Sequence, residues 1–283
     1  MIKTLLFWVR KFKAVFQVAE TKLLTIQKKK QIKEWNRLFK SADSIIFPLS
    51  PTLKIKLFKQ SAISELIYRG FEETEIQFLK ETLTEGDYFL DIGANIGLFS
   101  LFAAERVGTS GKVIAFEPAP DTFQKLTENV QINNFTNVEL HNLGVSDQVA
   151  KIPFFVSQNG YDAWNSFGKL TNKSQTISTE VEVKPLDTLL KGTNVSKIKL
   201  VKIDVEGWEK FVLQGGEHFF KTQQPIVMME FTESTCFEVG YMVQELYDIM
   251  ETYGYRWYEL ENQQLIPHKK QLHYPYNNLI AKK

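Results

Sequence analysis

Cysteine is almost missing from this chain: Cys236 stands alone among 283 residues. No internal disulfide can form, so a reducing, cytoplasmic setting fits best, and nothing around this thiol offers a metal or redox partner. The four histidines, His141, His218, His268 and His273, show no ligand spacing and read as surface or packing residues rather than an imidazole metal centre. Long apolar runs are absent too. The longest in the N-terminal region, Leu5 to Val9, is far too short to cross a bilayer and carries no small-residue cleavage site. With no internal repeat and no low-complexity tract, the chain reads as globular, and 43% hydrophobic residues suffice for one large core.

Basic charge is scarce in the body. The net charge of +1 hides eleven Lys or Arg against two Glu from Met1 to Lys40, and 23 basic against 31 acidic residues beyond. An acidic body argues against a nucleic-acid partner. In the head, Ile2, Leu5, Val9, Phe12 and Phe16 share one helical face, with Lys3, Arg10, Lys11 and Lys13 among them. This is a basic amphipathic helix, suited to folding over the body, to a partner subunit or to peripheral docking on an anionic inner membrane surface. Pro48 and Pro51 end the pattern, so residues 1–47 are read as a helical extension and 48–283 as the main domain.

Strand and helix patterns alternate from Tyr88 onward. "YFLDIG", "KVIAFEP", "NVELHNLGVSD", "IKLVKIDVEG" and "QPIVMMEF" read as strands, and "DTFQKLTENVQINN" as a helix capped by Asp121. "FEETEIQFLKETL" reads as an earlier helix with Glu72 and Glu73 in its first turn. "YRWYEL" and "NNLIAKK" follow as late strands. Such alternation predicts a doubly wound α/β sheet with its ligand crevice beyond the carboxyl ends of the strands.

At the first of those ends, "DIGANIG" spaces Asp91, Gly93, Asn95 and Gly97 so that the chain turns sharply and its backbone approaches a ligand. The spacing is neither G-x-G-x-x-G nor G-x-x-x-x-G-K, and no Lys or Arg is present to neutralise a polyphosphate. A cationic or zwitterionic ligand suits it. Glu117 ends the next strand, 26 positions on, where a carboxylate can grip both hydroxyls of a ribose. S-adenosylmethionine joins an adenosine, an amino-acid tail and a sulfonium in one molecule, and it satisfies both ends.

"FLDIGANIGLFS", "VIAFEPAP", "VELHNLGVSD", "VEVKPLDTLL", "LVKIDVEGWEKFVLQGG" and "PIVMMEF", between about Asp87 and Phe231, resemble the successive motifs of the FkbM-type S-adenosylmethionine-dependent methyltransferases. That resemblance implies a class I methyltransferase Rossmann-like sheet with a reversed last strand, and methyl transfer to a hydroxyl, commonly on a sugar or polyketide. It implies further that Asp91, Gly93, Asn95 and Gly97 surround the methionine part and that Glu117 takes the ribose. Gly144, Val145 and Ser146 would face the adenine, with Asp147 either beside it or capping the turn, and Asp204 would close the cofactor site.

A base assists attack by an alcohol, and the fourth and fifth strand ends offer Glu206 first and Glu230 second. Asp204, Glu206 and Glu230 could together supply oxygen ligands to Mg²⁺, but the resemblance requires no metal and none is expected. Between Lys151 and Val183 the ends of the insert read as an antiparallel arm. Its polar, aromatic middle offers Trp164, Asn165 and Ser166 to a sugar acceptor. The competing class is a non-catalytic scaffold that keeps the fold; failure to bind the cofactor would favour it.

Overall fold

Five short segments form the parallel half of the sheet, and the four inner ones are mainly apolar, as expected of strands buried on both faces. The computed structural model describes residues 29–157, 166, 167 and 176–283. Helix α1 (29–39) leads into a hairpin of β1 (Ser44–Pro48) and β2 (Lys54–Phe58), then α2 (Ala62–Tyr68) and α3 (Glu73–Thr82). The alternation follows: β3 (Tyr88–Ile92), α4 (Leu98–Val107), β4 (Lys112–Phe116), α5 (Pro120–Ile132) and β5 (Val138–His141). An arm of β6 (Gly144–Ser146), β7 (Ala150–Ser157) and β8 (Thr176–Pro185) precedes α6 (Leu186–Leu189), β9 (Ile198–Ile203), α7 (Glu209–Gly215) and α8 (Glu217–Gln223). The chain closes with β10 (Ile226–Phe231), α9 (Glu233–Val239), α10 (Gln244–Thr252), β11 (Arg256–Glu261), β12 (Gln264–Pro267) and β13 (Asn277–Lys282).

The main sheet has eight strands in the order β12-β11-β13-β10-β9-β3-β4-β5. From β5 to β10 every pairing is parallel, while β13 runs antiparallel between β10 and β11, giving the reversed last strand. The chain winds outward from β3 through β4 to β5, then returns to lay β9 and β10 on the other side of β3. That reversal opens a crevice beyond the carboxyl ends of β3 and β9.

The sheet divides the core in two. Leu90, Ile92, Val201, Ile203, Met229 and Phe231 face the layer that holds α6 to α10. Phe89, Leu200 and Met228 face the layer built by α1, the β1–β2 hairpin and α2 to α5. Because side chains alternate along a strand, Asp91, Lys202 and Glu230 lie on this second face, near the ends of β3, β9 and β10. The register sets Asp91 opposite Lys202.

Local details differ from the sequence reading at five places. Ser44–Pro48 pairs with β2 and does not continue the helix expected up to residue 47; a proline is tolerated where a hairpin strand ends. The cap position of α5 is Ala119, with Pro120 opening the helix and Asp121 in the first turn, where its charge still complements the dipole. Glu72 is not in the first turn of α3 but precedes it in left-handed backbone, φ 53°. β5 ends at His141, and Gly144–Ser146 belongs to the arm, paired with β8; α9 falls in a stretch to which no helix was assigned. The expected antiparallel arm is present as β7 against β8.

Fully buried Asn129 ties the hairpin to the crevice: its amide donates to the Ile96 carbonyl at 2.8 Å and accepts from the Lys56 N–H at 2.6 Å. Trp35 and Phe39 of α1 are buried in the same layer, and the Trp35 indole donates to the Lys59 carbonyl at 3.0 Å. Residues 1–28, which include the amphipathic face from Ile2 to Phe16, lie outside the described residues.

Candidate functional site

The crevice is a cavity of about 410 Å³, within the range of small-molecule sites. Asp91, Gly93, Asn95, Glu117, Asp204, Glu206 and Glu230 all line it, with Gly144 and Val145 of the arm region. Gly97 stands just behind, at the N-terminus of α4 with φ 96°. Ser146 does not line the cavity: its hydroxyl donates to Asp147 at 3.1 Å and accepts from the Trp208 indole at 3.2 Å. Trp164 and Asn165 lie outside the described residues, while Ser166 donates to the Glu206 carbonyl at 2.8 Å. Phe167, its neighbour, does line the cavity and packs edge-on against Phe154.

The glycine turn brings backbone against the end of β9. A Cβ on Gly93 would lie 1.9 Å from the Asp204 carbonyl oxygen, and its φ of 86° disfavours side chains in any case. Asn95, at φ 49°, donates its N–H to one oxygen of Glu117 at 3.0 Å, and Ala119 donates to the other at 2.9 Å. The Glu117 carboxyl is thereby fixed in plane, with lone pairs left on both oxygens. Burial pushes it up to about 7 against the pull of those two N–H groups. Asp91 accepts from the Ser100 hydroxyl at 2.6 Å, and its second oxygen is buried without a partner. Burial raises this carboxyl above its ordinary value, and the charge of Lys202 pulls it back.

Two participants escaped the sequence reading. Lys202 is buried, donates to Asp204 at 2.6 Å and lies over the Phe99 ring at 4.8 Å. Burial alone would lower its pKa; Asp204, Glu72 and Asp91 outweigh it and hold the ammonium above the usual lysine range. Glu72 reaches the cavity from the start of α3 and accepts from Tyr276 and from Asn278, each at 2.9 Å. Its other oxygen is buried without a partner, and burial raises this carboxyl too. A lysine inside the apolar run "LVKI" was a signal for the first; nothing in "FEETE" marks the second.

At the far end, Thr232 donates to one oxygen of Glu230 at 3.1 Å. Burial, with Glu206 and Asp204 close by, holds the Glu230 carboxyl well above its ordinary value. Behind it, Glu209 accepts from the N–H groups of Val205 and Gly207 at 3.0 and 3.2 Å and from the Tyr241 hydroxyl at 3.2 Å. Those bonds fix the turn that carries Asp204 and Glu206, the latter at φ 52°.

Sheet order and cavity together define a class I methyltransferase fold. Residues 91–257 match the Methyltransferase FkbM domain, and the chain belongs to that family. It is 36% identical over 147 residues to the hexuronic acid methyltransferase AglP of Haloferax volcanii, covering 51% of this chain and 56% of that one. It is 30% identical over 148 residues to Methyltransferase 1 of Beauveria bassiana, covering 46% and 59%. The 31-O-demethyl-FK506 methyltransferase FkbM of Streptomyces tacrolimicus matches at 30% over 164 residues, covering 48% and 61%. The match thus spans somewhat over half the length of these relatives. Among solved structures, the FkbM methyltransferase of Methylobacillus flagellatus aligns with a TM-score of 0.46 at 14% identity, over 71% of this chain and 44% of that one.

The cofactor is S-adenosylmethionine, and the residues present fit it. The orphaned oxygen of Asp91 needs a donor such as an ammonium group, and the fixed carboxylate of Glu117 retains acceptor capacity for two hydroxyls.

Proposed function

We propose that the protein is an O-methyltransferase that moves a methyl group to a hydroxyl of a sugar or glycan. The observation that carries this reading is a single cavity lined both by a ribose-type acceptor, Glu117 beyond β4, and by a cluster of carboxylates, Asp204, Glu206 and Glu230, at the ends of β9 and β10. The similarity to a hexuronic acid methyltransferase supports a carbohydrate acceptor. Asp91, with Gly93 and Asn95 beside it, holds the amino-acid end, and Gly144 and Val145 flank the base. The cofactor supplies an electrophilic methyl, and alignment of the acceptor oxygen with it accounts for much of the acceleration.

Glu206 or Glu230 receives the hydroxyl proton. The raised pKa of Glu230 makes its ionised form a stronger base than an ordinary carboxylate. Ser166 steadies the turn beneath Glu206 through its carbonyl. The basic segment from Ile2 to Phe16 is proposed to rest on an anionic membrane surface, and among the described residues no helix is long and apolar enough to cross a membrane.

Calorimetric titration with S-adenosylhomocysteine tests the site. Asp91→Ala and Glu117→Ala abolish binding. Glu206→Gln leaves binding within a few-fold and slows methyl incorporation into an accepted glycan by about 10²-fold. Equal loss of binding and turnover in Glu206→Gln sinks its catalytic role, and a wild-type protein that binds no S-adenosylhomocysteine is a scaffold instead.

A further inference from the structure

One carboxylate oxygen from each of Asp204, Glu206 and Glu230 lies within 4.8 Å of both of the others. Oxygens on opposite sides of a hard divalent cation are roughly 4–5 Å apart, because each metal–oxygen bond is about 2.0–2.6 Å long. The three oxygens therefore lie within the span that one ion can bridge. A second observation points the same way: Glu230 is 6% exposed, and its Oε2 has no hydrogen-bond partner among the described residues. A buried carboxylate oxygen facing like charges and lacking a donor is unfavourable until a cation or a proton reaches it.

The local cation balance is lopsided. Six acidic residues line the cavity, Glu72, Asp91, Glu117, Asp204, Glu206 and Glu230, and Lys202 is the one Lys or Arg among its described lining residues. Lys202 is engaged with Asp204. Glu209 is no competitor for an ion, since both of its oxygens already accept hydrogen bonds. It serves the cluster instead, by holding the turn from Asp204 to Gly207 in place.

We propose that Asp204, Glu206 and Glu230 form a binding site for a hard divalent cation of the Mg²⁺ class. Three carboxylates leave open positions on such an ion, which prefers six oxygen ligands. Those positions suit an acceptor that brings two neighbouring oxygens, such as a sugar diol or a hydroxy acid, and the field of the ion eases loss of the hydroxyl proton. This last use rests on the methyltransferase reading; the ion site does not.

The test uses Mn²⁺ alone, added to the full chain without cofactor or acceptor and followed by the electron paramagnetic resonance signal of the free ion. One Mn²⁺ per chain is expected, displaced by Mg²⁺. Glu206→Gln and Glu230→Gln each weaken binding by at least about 10-fold, whereas Asp121→Ala, at an exposed position of α5 away from the cavity, leaves it unchanged. Thermal melts confirm that each variant is folded; Glu230→Gln removes a buried charge and is expected to melt no lower than the wild type. No retained Mn²⁺ at millimolar concentration, or equal retention by the wild type and both Gln variants, overturns the proposal. Retained Mn²⁺ in a protein that ignores S-adenosylhomocysteine keeps the ion site and removes the methyltransferase reading.

Discussion

Glu72, Asn95 and Glu206 share an uncommon backbone: each has φ near 50°, and each lines the cavity. Left-handed conformations at residues other than glycine cost about 1 kcal/mol or more and gather where a ligand must be held. At Asn95 the conformation turns the N–H onto Glu117, so the strain is spent on fixing a carboxylate. That carboxylate sets a pH dependence. Burial pushes its pKa up to about 7, and the ionised form is the better acceptor for two ribose hydroxyls. Protonation competes below 7 and ceases to matter above it, so affinity for S-adenosylhomocysteine should rise about 10-fold from pH 6 to pH 8. Calorimetry across that range checks it; Glu117→Gln binds weakly and flattens the slope, and an unchanged slope in the variant removes Glu117 as the source. Asp91 and Glu117 were legible in the sequence because each ends an apolar strand beside a glycine turn or a proline. Glu72 was not, because an acid before a helix looks like any dipole partner.

Elements buried on both faces were the easiest to read. β3, β4, β9 and β10 are mainly apolar, and a two-sided core asks for that. β1 was hidden by Pro48, which reads as punctuation in isolation and proves to be the last residue of a hairpin strand. β5 and β6 merged in the sequence, because the jump from one sheet to another across Asn142 and Leu143 is decided by tertiary pairing. One close approach between elements is equally silent in the sequence: α7 meets β6 at Gly215, where a Cβ would lie 1.8 Å from the Ser146 carbonyl oxygen. Gly215→Ala forces the helix off the arm, with an expected destabilisation of about 3 kcal/mol or more. Urea unfolding measures it; a loss under about 1 kcal/mol shows that α7 shifts freely and that the arm is not anchored there.

At the scale of the whole molecule, the described part of the N-terminal region is built into the body. Trp35 and Phe39 are buried with the α2 to α5 layer, and β1 completes the hairpin that Asn129 holds. A chain beginning at residue 29 should therefore melt close to the full-length protein, while one beginning at residue 48 loses on the order of 5 kcal/mol, from two large aromatic side chains and a strand. Differential scanning calorimetry on both separates the cases; equal melting temperatures would mean that the first layer is dispensable. Liposome sedimentation of the shorter of the stable forms then tests the basic head by itself, since the cut at residue 29 removes Ile2 to Phe16 and spares the core. At the opposite margin of the sheet, β12 adds a short outer strand beyond β11, with Gln264 and Pro267 exposed. Its four residues end in a proline and run on into His268, Lys269 and Lys270. A border that is brief, proline-ended and followed by positive charge offers little template for another chain to extend the ladder. The hairpin that borders the sheet on this side thus guards that edge against edge-to-edge assembly in a crowded solution.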